Sequence, residues 1–418
     1  MTADLQATFV DLAGRHERMF WLDGGGSRAW SGRRSILGHL RKDDVSLTYR
    51  AQAREVCRHQ HGRAEVVGDD VFTVLAREMA RDQGDCRVSW VGYLGYAARP
   101  DLPAATTAGP VPDAVWMRVR DPVVVEHPEG RGAPAGRRRP PVPTAGLPAD
   151  YAAAFAAVQE QLHAGNSYEV NLTYREEVDS PVDPVTAYLA LRSASPAPYA
   201  GFLQHHGTRL LSSSPERFAT IGRDRWLETK PIKGTTPRGT TAEEDAENLR
   251  TLSTDPKFRA ENLMIVDLLR NDLSQVCDAG TVTVPVLMDV ESYASVHQLV
   301  STVRGRLRDG IGTVDALRAL FPAGSMTGAP KLRTMQIIEA VESSPRGVYA
   351  GAFGWLGTDG RADLGVVIRS LVAEPADGRA GWHYVLGTGG GVTVRSDPAE
   401  EYAESRWKAA RLRAAVTG

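Results

Sequence analysis

Apolar positions recur along the chain at two spacings. In "PKFRAENLMIVDLLRNDLSQV" they return every three to four residues. Leu263, Val266 and Leu269 mark one stripe, with Ile265 and Leu268 beside it, which predicts the strongest amphipathic helix of the sequence. "APKLRTMQIIEAVES" predicts a second. "ADYAAAFAAVQEQLHAGN" reads as a helix closed by Gly165. "DPAEEYAESRWKAARLRAAV" reads as another, with Asp397 as N-cap and Pro398 in its first turn. Elsewhere the pattern alternates or is β-branched and aromatic, which predicts strands. These are "RMFWLDGGG" running into a glycine turn, "RVSWVGYLGY", "WMRVRDPVVVEH", "SYEVNLTYREEV" and "SVHQLVSTVRGRL". "RLLSSSPERFATI" and "RWLETKPIKGT" predict one strand each, ending in polar loops. "YAGAFGWLG", "DLGVVIRSLVAE" and "GWHYVLGTGGGVTV" predict three successive strands. Residues 128–148 hold almost no core formers and read as a flexible Pro/Gly/Arg-rich linker between residues 1–127 and 149–418. Helices and strands mixed in this order predict an α/β (α+β) protein, sheets packed with helices outside.

Composition changes this picture little. The chain has 418 residues, 42% hydrophobic and 24% charged, with a net charge of −2. That balance points away from nucleic acid and from an anionic membrane surface. No apolar run reaches the roughly 20 residues of a membrane helix. The acidic, interrupted start "MTADLQATFVDLAGRHER" does not read as a signal peptide. Cys57, Cys86 and Cys277 are scattered, with no C-x-x-C pair. They predict neither a zinc site nor a disulfide framework, and fit a reducing cytoplasm.

Several residues carry possible chemistry. Glu261 sits inside an apolar helical run. Glu401, Glu404 and Lys408, three and four apart, fall within about 60° on one helix face. Carboxylates from two helices facing one cleft suit Mg²⁺; the plainer reading is a solvated Glu/Lys face. "VLGTGGGV" offers bare amides to an anion, or is a mobile turn. "GSMTGAPK" is a second glycine-bearing loop feeding a helix. Arg369 reads as a charge inside an apolar strand, needing a buried carboxylate or an anionic ligand. Glu216 is a candidate general acid or a surface partner of Arg217 or Arg223. His297 is a lone strand histidine. Lys230 and Lys233 lie in "ETKPIKGTTPRG" with no adjacent acid.

These segments fall in one order: "SYEVNL", "SSSPERF", "ETKPIKGTTPRG", "FRAENLMIVDLLRND", "VHQLVSTVRG", "FPAGSMTGAPK", "GVYAGAFGWLG" and "GTGGGVTVRSDPAEEYAESRWKA". From about Tyr151 to Arg411 the chain resembles the chorismate-utilising enzymes, and more loosely before that through "FWLDG" and "VGYLGY". The resemblance implies two packed β-sheets with outer helices, as in anthranilate synthase component I. "PIKGT", with Lys233, is similar to the aminodeoxychorismate synthase group; the anthranilate, isochorismate and salicylate synthases resemble P-x-A-G-T there. Glu169 in "YEVNL" stands where the water-adding group carries a lysine.

What the resemblance implies is amination of chorismate at C4, towards 4-aminobenzoate for folate or an antibiotic. Lys233 would add at C2 while Glu216 protonates the departing C4 hydroxyl, and ammonia would then expel Lys233. Mg²⁺ would be held by Glu261 and Glu404, with Glu401 acting through water. Arg369, Tyr349 and the amides of Thr388, Gly389, Gly390 and Gly391 would hold the enolpyruvyl carboxylate. Lys408 would approach the ring carboxylate; His297 and Thr327 would line the ring, and Glu169 would complete the substrate site. Relatives often carry an acid three residues before Glu261, where this chain has Phe258. Attack by Lys233 requires a neutral amine, so burial and Lys230 are expected to depress its pKa. No cysteine lies in a G-x-C-x-G elbow, so ammonia would come from a separate glutamine amidotransferase subunit. A tryptophan site near "FWLDG" is left open. The alternatives are anthranilate synthase component I, or a non-catalytic chorismate- or amino-acid-binding regulatory subunit.

Overall fold

The computed structural model describes residues 2–24, 34–106, 108–127, 146–293, 296–378 and 380–417. The expected linker, up to residue 145, and the turn after "FWLDG" lie outside the described residues. Among the described residues the strands form two antiparallel sheets, of nine and twelve strands. The alternation explains the layering. In the strand Arg18–Asp23, Met19 and Trp21 pack outward against helices Thr2–Arg15, Pro184–Ala194 and Pro398–Thr417. Phe20 and Leu22 face Val91, Tyr93 and Met117 of the second sheet. With both faces covered, its side chains are apolar at every position from Met19 to Leu22.

The outer face of the second sheet is covered by helices Val71–Ala80, Pro256–Ser274 and Thr313–Leu320. Residues before 128 supply strands to both sheets and pair with strands beyond 149: Arg18–Asp23 with Tyr199–His205, and Val88–Leu94 with Ala352–Gly357. No described helix is long and apolar enough to cross a membrane.

Three expected strands prove to be pairs of strands that change sheet. "RLLSSSPERFATI" breaks at Pro215 and Glu216 into Thr208–Ser214 of the first sheet and Arg217–Ile221 of the second. "DLGVVIRSLVAE" breaks likewise into Ala362–Val366 and Ser370–Pro375. These two chains are neighbours in both sheets, through Ser212 opposite Ser370 and Arg217 opposite Gly365. They diverge together, leaving a fork between the sheets. "WMRVRDPVVVEH" also splits, into Ala114–Arg120 and Val123–Glu126. "RWLETKPIKGT" becomes Trp226–Lys230 and Ile232–Pro237, interrupted at Pro231, which has no N–H for the ladder. Lys233 therefore lies on the second of these strands, not in the polar loop expected at the end of one. In the helix Pro256–Ser274, Leu263 is 52% exposed, so the buried stripe runs through Glu261, Ile265, Leu268 and Leu269 without it.

Candidate active site

The fork opens into a cleft of about 910 Å³ including its mouth. Glu216 and Arg369 sit on its two diverging chains, joined by backbone bonds from Val366 N–H to the Glu216 carbonyl and from Ser213 N–H to the Arg369 carbonyl. Arg369 is thus not inside a strand; it occupies the crossover, with φ of 51°. Backbone strain at a functional fork is a recurring device for aiming a side chain. Its half-buried guanidinium lies 5.7 Å from the Trp407 ring centre and lines the cleft. Burial pulls its pKa down to about 10, against the nearby Glu404 and Tyr349. Among the described residues it has no ion pair, so it is a cation available to an anionic ligand.

Glu216 is buried and takes a hydrogen bond from Ser325 Oγ. Burial pushes its pKa up to about 7, with Ser325 and Lys233 pulling the other way. It is not a surface partner of Arg217, whose guanidinium pairs with Glu228. Lys233 enters from the edge strand Ile232–Pro237 of the second sheet and meets Glu169, on the strand Glu169–Ser180 of the first. Its pKa moves opposite to the sequence expectation. Burial alone would lower it, but Glu169, Glu261 and Glu216 together raise it. Lys230 cannot depress it, because its ammonium is paired with Glu291 at 2.9 Å.

The glycine run is neither a loop nor a mobile turn. Gly387 to Gly391 form the end of the strand Trp382–Val392 and pair throughout with Glu169–Ser180. Pairing on the other side stops at Leu386, opposite Leu371. Close neighbours leave no room for side chains along the run. A Cβ at Gly387 would lie 2.2 Å from the Tyr349 ring, and one at Gly391 would lie 2.3 Å from Glu169 Oε1. A Cβ at Gly390 would come within 3.2 Å of Glu401 Oε2 and 3.5 Å of Lys408 Nζ. The run is a flat floor on which charged groups lie. Thr388 lines it, its hydroxyl spent on the Ser405 carbonyl.

Glu261, Glu401 and Glu404 line the same cleft from helices Pro256–Ser274 and Pro398–Thr417. Glu404 pairs with Lys408 at 2.7 Å, and Lys408 also donates to the Gly389 carbonyl. Glu401 takes bonds of 2.8 Å from Lys257 and Ser396. Burial acts to raise Glu404, but Lys408, Lys257 and Arg369 hold it below the usual range. Glu261 differs: its Oε1 is buried with no hydrogen-bond partner, and burial with Glu169 nearby pushes its pKa up to about 8. Among the described residues no three carboxylate, histidine or cysteine side chains are gathered as a metal site. The donor chemistry nonetheless fits a hard cation: all-oxygen ligands, and a buried oxygen with no hydrogen-bond donor.

Three expected residues do not line the cleft: Glu169, which lies in contact with Lys233, His297 and Thr327. His297 is buried but turned away, its Nε2 3.0 Å from Asp245 and its Nδ1 2.7 Å from Ser292. Alternation along the strand Val296–Arg306 sends its neighbour Gln298 into the cleft instead. Thr327 spends its hydroxyl on the Gly324 carbonyl within its own turn, and Ser325 and Met326 line the cleft in its place.

Sequence reasoning missed Lys257, four residues before Glu261 on the same helix, a spacing that signals a shared face. It also missed Ser325 and the support behind the floor. There Glu342 holds both Arg346, at 2.7 Å, and Arg175, at 3.1 Å. Arg346 in turn donates to the carbonyls of Met326 and Asn171. Phe258 packs against Gly234 beside Lys233.

A second cavity lies beneath "FWLDG", lined by Leu22, Ile36 and Phe353 together with Asp23, Arg361 and Asp363.

The family model for chorismate binding enzymes matches residues 133–414. The chain is 40% identical, over 99% of its length, to an aminodeoxychorismate synthase of Streptomyces pristinaespiralis, and spans 64% of that relative. It is 45% identical to anthranilate synthase component 1 1 of Haloarcula marismortui, over 62% of this chain and 52% of that one. The crystal structure of anthranilate synthase component I from Streptococcus pneumoniae superposes with a TM-score of 0.74 at 24% identity, covering 97% of each chain, which supports the fold. The chain belongs to the chorismate binding enzyme family.

Proposed function

We propose that this protein is the synthase component of an aminodeoxychorismate synthase, replacing the C4 hydroxyl of chorismate with ammonia to give 4-amino-4-deoxychorismate. The observation that carries the reading is Lys233, a buried primary amine sharing a cleft with a carboxyl group whose pKa is about 7. Lys233 Nζ bonds to C2, the ring double bonds shift, and the C4–O bond breaks as Glu216 protonates the leaving hydroxyl. Ammonia then bonds to C4, the double bonds shift back, and the amine is released. Splitting the substitution in two lowers each barrier. Arg369 and Tyr349 orient the enolpyruvyl carboxylate, and Lys408 approaches the ring carboxylate. Glu261, Glu404 and Glu401 would hold Mg²⁺, which when bound supplies Lewis-acid polarisation of the ring carboxylate. Ammonia comes from a glutamine amidotransferase partner or from solution. Cys57, Cys86 and Cys277 stand free, which suits a reducing cytoplasm.

The test follows chorismate absorbance with Mg²⁺ and ammonium salt, with the product identified by mass. Consumption to 4-amino-4-deoxychorismate is expected. Anthranilate with pyruvate would establish the second reading, which the Haloarcula relative favours; no consumption would leave a regulatory subunit. Without ammonia, the intact chain should gain the mass of dehydrated chorismate, and Lys233→Ala should not.

The cavity beneath "FWLDG" is proposed as a tryptophan seat. Its apolar walls suit an indole, and Asp363 suits an ammonium group, Asp23 being already paired with Arg192. Titration calorimetry with tryptophan tests this; absence of heat would refute it.

A further inference from the structure

Resting on the covalent role proposed for Lys233, we infer that Glu169 is the proton acceptor that readies this amine, taking a proton from Nζ as the bond to C2 forms. The cleft presents a difficulty for any nucleophilic lysine. A buried amine surrounded by carboxylates stays an ammonium ion, and an ammonium ion has no lone pair to donate. The proton must leave, and of the two acceptors of Nζ, Glu169 and the Ser325 carbonyl, the carboxylate is the base that can take it.

Geometry singles Glu169 out from the other carboxylates. Glu216 has its oxygen bonded by Ser325 and holds its own proton for the leaving hydroxyl. Glu261 makes no hydrogen bond to Lys233. Glu169 is fully buried, and its Oε2 has no partner, so no second donor competes with Lys233 for its charge. Its backbone is fixed from both sides, opposite Ala329 on one strand, while its neighbour Val170 lies opposite Val392 on the other. Gly391 leaves the space that the pair fills.

The proton balance closes. Nζ gives one proton to the Glu169 carboxylate as its lone pair forms the N–C2 bond. When ammonia attacks C4 and the N–C2 bond breaks, the amine recovers that proton from the neutral Glu169 carboxyl. The hydroxyl leaves as water with the Glu216 proton, and the attacking ammonia returns one to Glu216. The charged groups facing the pair are Glu216, Glu261, Lys257 and Lys408, all lining the same cleft.

The experiment compares Glu169→Gln and Glu169→Asp with the unsubstituted chain. Chorismate consumption is followed from neutral to alkaline pH with Mg²⁺ and ammonium salt. In parallel, acetic anhydride labelling of Lys233 is read by peptide mass at each pH. Glu169→Gln should lose on the order of 10²-fold in turnover near neutrality, and this deficit relative to the unsubstituted chain should shrink as pH rises, because solvent must then take the proton. Its Lys233 should label at lower pH, having lost its counter-ion. Glu169→Asp, which keeps the carboxylate, should recover part of the rate. Full turnover in Glu169→Gln with an unchanged pH profile would overturn the assignment. So would an unchanged labelling curve, which can be read even if one variant is unstable. If the unsubstituted chain consumes no chorismate, the functional reading fails by itself, and labelling still decides whether Glu169 controls the proton on Lys233.

Discussion

Ser325 donates its hydroxyl to Oε1 of Glu216 at the fork where the two sheets part. That bond favours the ionised carboxylate, while burial favours the neutral acid and prevails, leaving the pKa at about 7. An acid that must be neutral loses activity as pH rises through that value. Ser325→Ala should move this alkaline limb of kcat/KM upward by less than about one pH unit, the worth of one hydrogen bond. A limb that stays in place would remove Ser325 from the account. The sign for stability follows from linkage. The folded chain holds this proton up to about 7, whereas the unfolded chain releases it near 4.5. Stability therefore falls by about 3 kcal/mol as pH climbs through that window, and this contribution should vanish in Glu216→Gln.

Glu342 neutralises two buried guanidinium groups, and the carbonyls of Met326 and Asn171 hang on one of them. Removing one partner of a buried ionic cluster strands the others. Glu342→Ala should cost about 3–5 kcal/mol in urea unfolding. A loss under about 1 kcal/mol would show that water reaches the cluster.

Glu261 carries an unpartnered buried oxygen, and its pKa lies at about 8. A divalent cation would partner that oxygen and stabilise the state that binds it. Mg²⁺ should raise the melting temperature of the native chain and leave that of Glu261→Gln unmoved. Without the ion, Glu261→Gln should be the more stable protein at alkaline pH, where the native carboxyl is forced to ionise. An equal response of both chains to Mg²⁺ would place the cation elsewhere.

Gly387 leaves room for the Tyr349 ring, 2.2 Å from where a Cβ would stand. Gly387→Ala should destabilise the chain by about 1–3 kcal/mol through overpacking. It should also raise KM more than it lowers kcat, because Tyr349 is displaced. Thermal melting and steady-state kinetics check both. A neutral substitution would mean that the ring has space to move.

The sequence made several parts of the site legible. Glu261 stood out as a charge in an apolar helical run, and Glu401, Glu404 and Lys408 as one helix face; the structure brings all four to one cleft. The glycine run drew attention for its amides, while the close neighbours that exclude side chains from it come from other strands and helices and were not legible. His297 and Thr327 carried no local sign of which way they would turn. Glu342 and Arg346 are four apart, yet nothing in their spacing announces Arg175 as the third member.

The order of apolar and polar positions determined by itself where the helices Ala149–His163 and Pro398–Thr417 would form, because a helix closes its hydrogen bonds locally. The motif order likewise determined the family. Only tertiary structure decided which sheet each half of a broken strand would join, since strand period reports burial and not the neighbour that supplies it. It alone decided the charge on Lys233, because the carboxylate that holds its proton arrives from the opposite sheet, 64 residues away in sequence.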